Sequence, residues 1–540
     1  MNNHILIKNG VVMDGTGSPA FKADIIIEGE LIKDIGSFQD VKTTRVIDAK
    51  GLVVAPGFID VHTHLDFFFP SPRHPQVLES WARQGVTTII AGNCGYSAAP
   101  INHEKEELIS TFWNFALPHD GLNYEWTTMA EFFNYLERNG QAFNVAILTG
   151  HNTLRTNVMG WETRFANPDE VSEMQMMLRT SLEAGSIGLS LGLYYCPGIF
   201  SHTDELMELA SVLTEFGAPL VPHTRGLTVT YDKAIEEVIS IAEKNKIPLH
   251  ISHHAGGSGQ VRKRALKKIK EAKERGLRIG HDNMPWAGGC TAVLAHFPPW
   301  ILEGGIDKLI ERLKDPKIRK QAKDEMENFQ PQWPTWDNKY WTDKFLGGNT
   351  YIGGFSSEKN LKFEYMPIKD IAKYHGKNMY ETLFDLVLDE KGKLFTVGYF
   401  DHPVAEQLYD ELIKDSDCSI ETDVIGVDFK NPFPVSYGTF TKVLGEMARD
   451  KGLMSQEEAI RKMTSLPAEQ MQIKDRGIIK KGYFADITIF NPKTVNALVS
   501  FTNPFQNSEG IEYVLINGKI VIEKEKYYPE IFAGKVLRRN

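Results

Sequence analysis

Short apolar runs, each closed by a cluster of polar residues, alternate through the middle of the chain with longer segments whose apolar residues recur at three- and four-residue spacing. The runs are GFIDVHTH, GVTTIIAGNCG, NVAILTG, SIGLSLGLYY, APLVPHTR, IPLHISHH, LRIGHDNMP and CSIETDVIG, and their length and turn-rich borders predict strands. The segments PDEVSEMQMMLRTSLEAG, DELMELASVLTEFG and VRKRALKKIKEAKERG carry the helical period. Strands that alternate with helices pair in parallel through crossovers. Eight such units predict an α/β fold closed into a (β/α)8 TIM barrel rather than an open sheet.

The two ends have a different character. HILIKNGVVMDG, ADIIIEGELIKDIG and TRVIDAKGLVVAPG at the start, and GYFADITIFNP and GIEYVLINGKIVIEKEKYY at the finish, read as short strands broken by Gly and Asp. Residues 1–57 and 477–540 are therefore expected to combine into one small β-sandwich beside a barrel over 58–476. After the seventh run comes a stretch, 286–350, without strand periodicity and too long for a plain loop. It is expected to be an inserted lid subdomain, with Trp286, Trp300, Trp333, Trp336 and Trp341 supplying an apolar face.

Charge and composition narrow the partners. The net charge of −10, from 70 acids and 60 bases without a long basic run, argues against a nucleic-acid partner. There is no apolar stretch of about 18 residues and no export-type start, so no membrane is expected and the reading is cytoplasmic. Cys94, Cys196, Cys290 and Cys418 are too few and too scattered to staple a secreted scaffold, which leaves a reduced thiol free to act as a ligand.

His62 and His64 end the first run two residues apart, so on a strand both imidazoles face the same side. A bare pair of this kind is also compatible with two ordinary structural histidines. Further metal-type residues end other runs: Cys94 in GNCG, His223 in VPHTR, His253 in ISHH and Asp423 in IETDV. A barrel of this class gathers strand ends at one rim, and imidazole with thiolate suits zinc, as one ion or two.

PGFIDVHTH, GNCG, GLSLGLYY, HTR, ISHH and the tail GYFADITIFNP with VLINGK resemble the D-aminoacylase branch of the amidohydrolases over nearly the whole chain. The resemblance implies a metal-dependent hydrolase of a linear amide, an N-acyl-D-amino acid or a related small N-acyl amide. It implies that His223 and His253 hold the tighter metal with Cys94, in the place where many relatives use a carboxylated lysine, that His62 and His64 serve a second, weaker site, and that Asp423 is the general base. Tyr195 resembles a family tyrosine beside the scissile amide, His151, Arg155 and Arg225 are weaker substrate-binding candidates, and Asp60 is placed to orient an imidazole. The chain also departs from the family's pattern. Met284 stands where a tyrosine follows the strand-seven aspartate, and Ala255 and Val435 stand where a lysine and an arginine can hold the substrate carboxylate. Two other readings remain at this stage. A cyclic amidase of the hydantoinase or dihydroorotase kind lacks its bridging lysine in GLSLGLYY, and a non-catalytic barrel scaffold should have lost ligands that are present here.

Overall fold

The computed structural model describes residues 4–39, 43–118, 121–328, 333–334, 350–399, 403–425, 433–501 and 503–539. Each of the eight runs forms a strand: β1 (Phe58–Asp60), β2 (Val86–Ala91), β3 (Asn144–Ile147), β4 (Leu189–Gly192), β5 (Leu220–His223), β6 (Leu249–Ile251), β7 (Ile279–Asn283) and β8 (Cys418–Ile420). All pair in parallel. β1 pairs with β2 and β2 with β3, and Thr149–Gly150, just past β3, joins β4. From β4 the ladder runs in sequence order to β8. Closure comes after β8, where the Asp423 amide donates to the His62 carbonyl at 3.0 Å and Thr63 bridges Val424 in parallel.

The strands are buried on both faces, as a parallel sheet covered by helices requires. Local sequence sets the helix limits well. The helix Pro168–Ala184 starts at an Asn167–Glu170 capping box with Pro168 in its first turn, and it stops at Gly185 in the left-handed conformation. Thr203–Phe216, Tyr231–Asn245 and Gly259–Glu274 follow in turn between strands β4 to β7.

Strands from both ends of the chain share one seven-stranded sheet: Val11–Val12, Phe21–Lys22 and Val53–Pro56 join Ile487–Phe490, Ile511–Ile516, Lys519–Glu523 and Lys526–Tyr527. A second sheet of four strands, all N-terminal, packs with it around Ile5, Ile7, Ile25, Ile27, Val54, Ile487 and Ile489.

The excursion after β7 differs from the expectation over 286–350. Gly288–Ala292 is a strand, and it pairs antiparallel with Phe395–Tyr399, which also pairs with Thr350–Gly353. The excursion therefore extends past residue 350, almost to β8. GGCTA has no apolar alternation of its own, so a partner about a hundred residues away makes it a strand. Trp336 and Trp341 lie outside the described residues.

Candidate active site

Cys94 owes its position to the glycines around it. Gly92 and Gly95 in GNCG both have positive φ, and a Cβ on Gly92 would sit 2.3 Å from the Leu148 carbonyl oxygen, one on Gly95 2.4 Å from the Gly192 amide. Only glycine lets the β2 end pass this close to β3 and β4. Cys94 itself has φ 51°, His253 φ 32° and Asp423 φ 45°, conformations that cost a non-glycine residue about 1–3 kcal/mol and gather at functional sites. Three different strand ends thus carry the same local strain, and all three point toward one another.

The Cys94 sulfur is the hub. Its Sγ lies 3.3 Å from His62 Nε2, 3.4 Å from His223 Nδ1 and 3.6 Å from His253 Nε2. Nitrogen and sulfur ligands at about 2.0 and 2.3 Å from one tetrahedral zinc stand about 3.5 Å apart, so the spacing suits a shared ion. On the other side of Cys94, His62 Nε2 and His64 Nε2 lie 3.4 and 3.2 Å from Asp423 Oδ1. Two donor sets meet at the sulfur, His62–His64–Cys94–Asp423 and Cys94–His223–His253, and a third, His62–Asp282–Glu421, shares His62.

Electrostatics point the same way. Burial, then the other imidazoles, holds His223 well below its ordinary range, and burial also lowers His64 and His253, so the neutral form of these rings, the one that can ligate a metal, is favoured. Burial, followed by Asp423, Glu421 and Asp282, pushes the Cys94 thiol far up, a tendency that a coordinated cation reverses. Burial alone would raise Asp423, yet His62, His64 and His253 outweigh it and keep its carboxylate below the usual range. With 15% of its side chain exposed, Asp423 is more open than His62 or His64.

Two carboxyl groups beneath His62 were given no role from the sequence. Asp282, at the end of β7, accepts from His62 Nδ1 at 3.2 Å and from His250 Nε2 at 2.9 Å, and it also takes the His253 amide. This is the carboxylate–histidine arrangement that fixes a ligand's tautomer. Glu421 Oε2 lies 3.0 Å from the same His62 nitrogen, beside Asp282. Burial, then Asp282 and Asp423, pushes this carboxyl group well up, which makes it a neutral acid. Asp282 is the strand-seven aspartate of the resemblance, named there without a role, and the only sequence signal for Glu421 was its position at a strand end. Asp60 does not orient an imidazole as expected. It accepts from Trp81 Nε1 at 2.8 Å and from the Thr422 amide and hydroxyl at 3.0 and 2.7 Å, tying β1 to β8.

The weaker candidates divide. Tyr195 packs its ring 4.7 Å from that of His223, its hydroxyl is 3.2 Å from Thr291 Oγ1, and burial keeps that phenol protonated. Met284 is buried directly after β7. His151, Arg155 and Arg225 are not brought to the cluster. His151 and Arg155 share the buried Glu205, and Arg225 is bound to both oxygens of Glu237 and to the carbonyls of Ile199 and Ser201. Buried cations need a carboxylate, and Glu205 and Glu237 claim these two. His254 faces away and meets Tyr231.

A sequence profile of the amidohydrolase family matches residues 45–319 and 399–522. The D-aminoacylase of Alcaligenes xylosoxydans xylosoxydans is 29% identical over 540 residues, covering 99% of this chain and 98% of its own. A solved D-aminoacylase with a binuclear metal centre superposes with a TM-score of 0.81 at 27% identity over 99% of both chains. The N-acyl-D-glutamate deacylase of Bordetella bronchiseptica, solved with zinc and a phosphonate mimic of the tetrahedral intermediate, gives 0.79 at 28% identity, again over 99% of both.

Proposed function

This chain belongs to the amidohydrolase family, and from that premise we propose that it is a metal-dependent deacylase that hydrolyses the linear amide of an N-acyl-D-amino acid or a related N-acyl amide. The observation that carries the reading is the Cys94 sulfur standing 3.3–3.6 Å from nitrogens of three histidines. Cys94, His223 and His253 would hold the first zinc ion, and His62 and His64 would hold a second, with Cys94 shared. Bound zinc supplies Lewis acidity toward the amide carbonyl and toward water.

The chain's own groups do the rest. Asp423, kept ionised by the imidazoles around it, takes the proton from the attacking water and delivers it to the nitrogen as the C–N bond breaks. Tyr195, which retains its phenolic proton, donates to the oxygen that gains charge. Asp282 keeps His62 turned so that Nε2 faces Cys94 and Asp423. The inserted segment acts as a cover, a reading supported by the Thr291–Tyr195 contact at 3.2 Å. A cytoplasmic setting accords with four unpaired cysteines. No helix among the described residues is long and apolar enough to cross a membrane.

The test is a substrate panel with zinc-loaded protein: N-acetyl D- and L-amino acids, their carboxamides, and hydantoin and dihydropyrimidine rings. Hydrolysis of the D-series that chelation abolishes and zinc restores is the expected result. Turnover of the cyclic amides alone would overturn the proposal.

A further inference from the structure

The two histidines of the HxH pair are held in different ways. His62 donates from Nδ1 to Asp282 at 3.2 Å, which fixes its plane and turns Nε2 toward Cys94 and Asp423. His64 has no such anchor: its Nδ1 is buried without a hydrogen-bond partner among the described residues, and only Nε2 faces a polar group, Asp423 Oδ1 at 3.2 Å. An imidazole held at one nitrogen can pivot about its Cβ–Cγ bond, where the torsional wells are broad.

What covers its ring is Trp113. The rings stack with centroids 4.6 Å apart and planes at 26°. Trp113 is itself wedged, meeting Tyr96 edge-on at 5.0 Å, Phe112 at 5.8 Å and Tyr195 at 5.9 Å. Its amide closes the helix Glu106–Phe112 on the Ile109 carbonyl at 3.0 Å. A flat surface that cannot swing away resists the pivot that the missing hydrogen bond leaves free.

We propose that Trp113 is a positioning residue for His64, fixing by stacking the ring plane that Asp282 fixes for His62 by hydrogen bonding. The inference rests on the reading of this cluster as a metal centre and adds to it a division of labour. The His62–His64 donor set depends on an aromatic platform from the segment after β2. The ring packed on His223 is that of Tyr195, 4.7 Å away, so the first donor set has an aromatic neighbour of its own. Loss of the platform should therefore weaken the second ion and spare the first.

The experiment is a zinc titration of metal-free protein against a chromophoric chelator, which reads each step of binding without any assay of turnover. Outer-shell changes at metal sites typically cost about 10–100-fold in affinity. In Trp113→Leu the second step should weaken about tenfold or more while the first stays within about twofold, and Trp113→Phe, which keeps a flat ring, should restore most of the loss. Trp113→Met serves as the apolar, non-aromatic variant if the leucine protein does not fold. A second step unchanged in Trp113→Leu, or both steps weakened equally, overturns the proposal while leaving the metal reading intact. Wild-type protein that resolves a single step also overturns it, and wild-type protein that binds no zinc overturns the metal reading as well.

Discussion

Asp282 accepts the Nδ1 proton of His62 at 3.2 Å while also receiving His250 Nε2 at 2.9 Å, so one fully buried carboxylate sets the orientation of two rings. It also takes the backbone amide of His253, which couples β6 to the same anchor. Asp282→Asn puts an NH2 group where a donor already points and leaves one oxygen to serve donors that used two. Zinc affinity should fall about 10–100-fold, read as zinc retained after dialysis against a graded chelator. Retention equal to that of the wild type would show that the ring is held by something else.

Asp423→Asn separates proton transfer from architecture. Asn tolerates the φ of 45° at this position, and the amide of residue 423 still donates to the His62 carbonyl. The fold and the zinc content should survive. The side chain can no longer take the proton, so kcat should fall about 10²–10⁴-fold. Single-turnover rates close to wild type would assign the proton transfer to another group.

His74 gives a pH dependence that does not involve the metal cluster. Its Nδ1 donates to the Ser71 carbonyl at 2.8 Å and its Nε2 accepts the Ala142 amide at 3.1 Å, an arrangement that only the neutral ring can make. Burial holds its pKa at about 4, against 6.5 for a free imidazole. The unfolded chain therefore binds the proton first. Stability from this residue is whole above about pH 6.5 and drains away as the pH falls toward 4, by about 3 kcal/mol in all. His74→Gln should lower the urea midpoint at pH 7 and show a shallower loss between pH 6.5 and 4. A parallel pH profile for the two proteins would rule this out.

The barrel was legible because each of its strands is an apolar run buried on both faces and closed by polar residues, a pattern that survives without tertiary context. That Cys94, His223, His253 and the His62–His64 pair would lie together was legible because the strand ends of a closed parallel barrel meet at one rim. Asp282 lay in plain view in DNMP, but an aspartate buried among histidines has no signature separate from one at a turn. Trp113 was beyond reach because its role comes from a ring contact between two segments 49 residues apart. The strand Gly288–Ala292 was hidden for the same kind of reason, its partner being remote. His151, Arg155 and Arg225 misled because a charged residue near a strand end looks alike whether it faces substrate or, as here, a buried glutamate.

The partners of Arg225 bear on the charge a substrate can carry. This arginine was one of the weaker substrate-binding candidates, yet Glu237 and two carbonyls occupy its guanidinium. Val435 is fully buried in the core, so it offers the substrate nothing polar. Among the described residues, the groups that bear most on Cys94, His223, Tyr195 and Asp423 are carboxylates, imidazoles, hydroxyls and the Cys94 thiol itself. A substrate carboxylate brought here would lose its hydration and, among the described residues named above, find Arg225 already engaged and Val435 apolar in place of a bidentate partner. Each N-acyl-D-amino acid should therefore be hydrolysed with a kcat/KM within about tenfold of its carboxamide, which corresponds to less than about 1.4 kcal/mol. Leucine, methionine and phenylalanine derivatives should be favoured, and N-acyl-D-aspartate and D-glutamate, with a second charge to desolvate, should be poor. A preference of about 100-fold or more for the free carboxylate, on the order of 2.7 kcal/mol, would mean that a cation reaches the substrate and that the pocket is not neutral.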